Sequence, residues 1–154
     1  QETITTKYLS WLYDDDEGFL FCTLPSGRRI AYPEPEVHAK MTPWGEMREA
    51  LTFMGAQAGA RKAFNWARQH TYGGSVVENE TQAVARDLMA TAMVRCERGG
   101  IFLPVLSVHD EVLALARKGV GTVDAFKKLL VELPPWATGC PVAAEGWKGL
   151  RYRK

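Results

Sequence analysis

Residues His109, Asp110 and Glu111 interrupt an otherwise apolar run, Val105-Leu106-Ser107-Val108 before them and Val112-Leu113-Ala114-Leu115 after. The run reads as buried strand, and a carboxylate buried without compensation is costly. The triplet is therefore predicted to lie at a turn joining two strands, Leu103 to Val108 and Val112 to Ala116. Such a hairpin holds Asp110 at a rigid, exposed tip, where an acid can meet a metal ion or a substrate. Taken alone, the tripeptide also fits a solvated hairpin turn.

A second group of polar residues has helical spacing. Glu78, Gln82 and Arg86 follow at i, i+4 and i+8, with Asn79 three before Gln82, so four hydrogen-bonding side chains line one helix side. By spacing alone this is a solvated surface. Arg86 has Gln82, Ala83, Met89 and Ala90 three and four residues away, none of them acidic, which weakens an ion pair within the helix and leaves a phosphate contact open. The helix itself is predicted from Val77 to Arg98, with Val77, Thr81, Val84, Ala85, Leu88, Ala92 and Cys96 as its core stripe and Gly99-Gly100 as its stop.

The elements that must position these groups follow from turn and period signals. Phe19 to Leu24 and Arg29 to Tyr32 flank Pro25-Ser26-Gly27-Arg28, which predicts a hairpin. Tyr32 to Pro43 holds three prolines and reads as a loop. Met47, Leu51, Met54 and Ala58 recur near helical spacing, so Gly45 to about Gln69 is expected to form an interrupted helix, weakened by Gly55 and Gly59. A last helix is predicted from Val123 to Leu133, ended by Pro134-Pro135. The parts are thus a hairpin and Pro-rich loop at 18–43, a helical region at 45–98, the central hairpin at 102–117, and a C-terminal helix and tail at 118–154.

With 154 residues, 46% hydrophobic and 24% charged, one soluble domain is the default expectation. No apolar stretch approaches a membrane span and the start lacks a signal-peptide profile, so no membrane partner and a cytoplasmic location are expected. Net charge is +1, which argues against holding nucleic acid by bulk electrostatics and confines any such contact to local clusters at Arg28-Arg29, Arg61-Lys62 with Arg68, and Lys148, Arg151, Arg153 and Lys154. Asp14-Asp15-Asp16-Glu17 reads as a solvated acidic loop. Cys22, Cys96 and Cys140 are far apart and are expected to be reduced and mostly packed; with His38 they lack zinc-ligand spacing.

Thr71-Tyr72-Gly73-Gly74, the helix with Glu78-Asn79 and Gln82-Ala83-x-Ala85-Arg86-Asp87, and the strand ending in His109-Asp110-Glu111 together resemble the C-terminal palm portion of family A DNA polymerases, in their bacteriophage and prophage branch. Leu24-Pro25-Ser26-Gly27-Arg28-Arg29 with Tyr32-Pro33, and the tail from Glu132 to Tyr152, resemble the same branch in the same order. The resemblance implies that Asp110 binds the catalytic metals, with Glu111 as a supporting ligand and His109 at the primer terminus. Gln82 would meet the minor groove of primer-template DNA, with Asn79 and Arg86 as further contacts; the Asn79 to Gln82 spacing is one residue shorter than in the cellular branch. Two Mg2+ ions, dNTP and the remaining polymerase body, in cis or in trans, are the implied cofactors and partners. Neither an Asp-Tyr-Ser-x-x-Glu-like strand nor a nucleotide-gripping Arg-x-x-x-Lys helix occurs here. With Gln1 in place of Met, this predicts a piece of a larger or split enzyme, inactive alone; the alternative is a non-catalytic remnant binding DNA or a replication protein. The expected fold is α+β, a small antiparallel sheet with helices mainly on one face and the other face turned to nucleic acid.

Overall fold

The computed structural model describes residues 2–41, 44–58 and 64–152. The chain divides into two compact units, Gln1–Ala83 and Val84–Lys154. The α+β class holds: the described residues form nine strands, two α-helices and a short 3₁₀ turn. The strands make three small antiparallel sheets rather than one.

In the first unit, β1 (Thr3–Thr5), β2 (Ser10–Asp14), β3 (Phe19–Thr23) and β4 (Arg29–Pro33) form a four-stranded meander in chain order. The expected hairpin is β3–β4, with Phe19 opposite Pro33 and Thr23 opposite Arg29. Its turn closes through Gly27, whose φ of 85° is open to glycine and strained for other residues. The acidic run lies in the β2–β3 turn, where Asp14 Oδ1 accepts hydrogen bonds from the backbone N–H groups of Asp16 and Glu17. Phe21, Cys22, Leu24 and Tyr32 form the core, with the Tyr32 ring 6.0 Å from Trp11 and 5.0 Å from Phe53.

Two expectations fail in this unit. The Pro-rich segment contains β5 (Glu36–Met41), while Thr42 and Pro43 lie outside the described residues. The interrupted helix is instead two strands, β6 (Met47–Ala58) and β7 (Phe64–His70), forming a sheet in the order β5-β6-β7. Cross-strand pairing on both sides of β6 overrides its helical spacing. Gly55 is a close approach in a strand, since a Cβ there would come within 2.7 Å of the Gln69 amide. Gly59 and the Arg61-Lys62 cluster lie outside the described residues, as do Arg153 and Lys154.

Helix α1 runs from Gly73 to Arg98, as expected apart from an earlier start. Arg95 and Arg98 in its last turn complement the helix dipole, and Gly100 at φ 69° follows its end. The expected stripe is only partly buried. Ala92 and Cys96 are buried and Val84 and Leu88 half-buried, but Thr81 and Ala85 are exposed and Val77 is 59% exposed. The line of burial runs instead through Val76, Glu80 and Ala83 before reaching Leu88. An acid occupies a core position there, which tracing apolar residues passes over.

In the second unit, β8 (Phe102–Val108) and β9 (Glu111–Ala116) form the expected central hairpin. Helix α2 (Val123–Val131) starts where the Thr122 hydroxyl accepts a hydrogen bond from Ala125 N–H, 3.1 Å. Pro134 and the 3₁₀ turn Pro135–Ala137 follow it. Ala92, Cys96, Phe102 and Ala137 are buried, and the Phe102 and Phe126 rings lie 4.9 Å apart.

Candidate functional site

Val108 pairs with Glu111, so His109 and Asp110 alone make the turn between β8 and β9. Two-residue hairpin turns match strand twist only in the primed geometries, which need a positive φ at the first position. His109 supplies it at φ 51°, a region where histidine is commoner than most non-glycine residues. His109, Asp110 and Glu111 are all exposed. The strands thus carry a histidine and two adjacent carboxyls into solvent.

Glu111 is anchored from the tail, because the Tyr152 hydroxyl donates a 2.5 Å hydrogen bond to Glu111 Oε2. That hydrogen bond, with some burial and the Glu111 charge, pushes the Tyr152 phenol above its ordinary range. Nothing in the sequence spacing pointed to this pair. Arg86 is anchored too: its Nη1 donates to Ser107 Oγ on β8 at 3.3 Å. This replaces the ion pair that its helix neighbours could not provide.

Arg86 and the turn therefore belong to one unit, whereas Asn79 and Gln82 belong to the other. Gln82 is exposed and donates from Nε2 to Glu78 Oε1 at 3.1 Å. Asn79 is exposed beside the buried Tyr32 hydroxyl, near enough to offset part of its burial without making a well-formed hydrogen bond. Next to them Glu80 is buried against Cys22, with 3.9 Å between Sγ and Oε1. Burial raises the Glu80 carboxyl above its ordinary range, the thiol hydrogen bond opposing it in part. Burial first, then the Glu80 charge and hydrogen bond, pushes the Cys22 thiol up to about 12.

Asp110 and Glu111 are hard oxygen donors suited to a divalent cation such as magnesium, which is typically tied down by one or two carboxylates. Among the described residues no three His, Cys, Asp or Glu side chains gather into a metal-binding group. The donor set present fits part of such a site. Among the same residues no helix is long and apolar enough to cross a membrane.

The fold defines an α+β protein of small antiparallel sheets with an acidic turn presented on a hairpin. In sequence the chain is similar to the DNA polymerase of Bacillus phage SP02, with 37% identity over 146 residues. That match covers 95% of this chain and 21% of the phage protein, so the chain spans about a fifth of the length of the curated relative it matches. No family model matches the chain. No solved structure matches it either.

Proposed function

We propose that this chain is a C-terminal palm portion of a bacteriophage-type family A DNA polymerase, contributing to template-dependent nucleotidyl transfer on primer-template DNA. The observation that carries this reading is the 37% identity to a phage DNA polymerase along 95% of the chain. The exposed, backbone-fixed turn at Asp110 supports it, since catalytic groups work best on rigid elements.

In this reading Asp110, supported by Glu111, would hold magnesium. The bound ion would neutralise charge on the transferring phosphate, the service that a two-metal site performs for an in-line displacement. His109 would position the primer terminus. Gln82 would touch the minor groove, where acceptors common to the base pairs report duplex geometry rather than sequence. Arg86, with Asn79, would add further DNA contacts. The incoming dNTP and the rest of the polymerase body would complete the machinery.

Primer extension tests the proposal. The isolated chain should not extend a primer, and activity should appear when the missing polymerase body is joined to it or supplied separately. Robust extension by the chain alone would defeat the reading, as would a completed protein that binds primer-template DNA yet never extends it.

A further inference from the structure

The hairpin that carries Asp110 has two chemically different faces. Directly opposed residues of an antiparallel pair share a face, and faces alternate along each strand. The pairs Phe102 with Ala116, Pro104 with Ala114 and Ser107 with Val112 lie on one face. Arg86 of α1 bonds Ser107, and Phe126 of α2 packs against Phe102 with its ring tilted by 39°, so both helices lie on that side.

The other face carries Leu103 opposite Leu115 and Leu106 opposite Leu113. Strict alternation would have put Leu106 beside Pro104; the register shift between Pro104 and Leu106 returns it to the face of Leu103. This face is open. Leu103, Leu106 and Leu115 are 52%, 45% and 58% exposed, although a two-stranded sheet is itself only marginally stable in water.

We infer that this leucine face is a protein-docking surface, covered by the remainder of a polymerase of which this chain is one segment; the inference rests on the proposed function. Roughly four-fifths of the matched phage polymerase lies outside the similarity, ample chain to supply the occupant. The chemistry selects protein over nucleic acid. Leu103, Leu106 and Leu115 offer no cation or hydrogen-bond donor to a phosphate, whereas an exposed apolar patch is the mark of a protein interface. The sheet face expected to turn to DNA is then closed to it, so that of the hairpin only the tip around 109–111 is left to nucleic acid, beside the contacts proposed on α1.

Thiol labelling of Leu115→Cys tests this, measured against the parent chain, whose Cys140 sets the background. In the isolated chain the new thiol should alkylate rapidly. In a fusion where this chain replaces the matching segment of the phage SP02 polymerase, alkylation should be at least about tenfold slower; supplying the remainder as a separate chain guards against a misfolded fusion. Leu103→Glu and Leu115→Glu, made singly because the two residues are directly opposed and paired carboxylates would repel, should each leave the melting of the isolated chain nearly unchanged and lower that of the fusion. Equal alkylation in both settings would overturn the inference. So would protection that grows with the concentration of the chain alone, which marks a second copy, or protection by duplex DNA alone. None of these readouts needs turnover: a fusion that docks but never extends a primer removes the proposed function, and one that extends primers with Leu115→Cys still fast removes the docking face.

Discussion

Two acidic residues, Glu80 in α1 and Asp110 in the β8–β9 turn, show how surroundings divide one functional group between two tasks. Glu80 lies in the core of the first unit, against a thiol, and its carboxyl is pushed toward the neutral form. Asp110 stands in water at the end of two paired strands. Burial without a cation favours the neutral acid, a form suited to hydrogen bonding and poor at attracting magnesium. Exposure on a fixed turn leaves both carboxylate oxygens accessible to a ligand. The difference separates an acid that organises its own core from one available to a partner.

The largest expected effect breaks the comparison at its exposed end. Asp110→Asn keeps the shape of the turn and removes the charge that would draw a metal. In the completed polymerase it should lower primer extension by about a thousandfold or more, because groups acting as one constellation fail together. DNA affinity and the melting of the chain should change little. Full extension by Asp110→Asn would show that this acid is not a catalytic ligand.

The same contrast explains what could be read from the sequence. The β8–β9 hairpin was legible because polar residues interrupt an apolar run only where the chain can turn. The β3–β4 hairpin and both helices were legible from Pro/Gly turns and stops. The segment from Gly45 to Gln69 was not, since its spacing fits a helix and its strand state is decided by pairing with distant residues such as Glu36 and His70. Glu80 escaped for a related reason, as the core stripe was traced through apolar spacing while the packing of α1 buries a carboxyl. At the candidate site the turn was legible, whereas the Tyr152 to Glu111 hydrogen bond joins residues 41 apart in the chain and leaves no local signal.

Thiol chemistry sharpens the buried end. Cys22, raised to about 12, and Cys96, raised chiefly by burial, should resist alkylation in the native chain, while half-buried Cys140 reacts on the order of a hundredfold faster. Mass spectrometry after brief labelling reads this directly. Fast labelling of Cys22 would mean that the core around Glu80 opens readily.

A smaller effect comes from Glu80 itself. Its folded pKa lies above the unfolded value of about 4.3, so its contribution to stability is fully present below that pH and is lost as pH rises through the folded pKa. Glu80→Gln removes the ionisation. Relative to the parent chain, the variant should therefore gain in denaturation midpoint as pH rises from the unfolded carboxyl value toward neutrality and beyond. Cys22 stays neutral across this range and does not mask the trend. A midpoint difference independent of pH would show that Glu80 does not ionise in the core.

The smallest stability effect is expected at the turn, from His109→Gly. Glycine relieves the positive φ, a strain of order 1 kcal/mol in other residues, but also gains freedom in the unfolded chain worth about 0.4–1 kcal/mol. The two nearly cancel, so the melting temperature should stay within a few degrees of the parent value, by the usual conversion of about 1 kcal/mol into a few degrees for a domain of this size. Function should respond differently. If the imidazole positions a primer terminus, the completed enzyme should need more primer-template for half-maximal extension while Asp110 still supports turnover at saturation. A variant with unchanged melting and unchanged primer dependence would assign His109 to the geometry of the turn alone, and a large drop in melting would assign it to the fold.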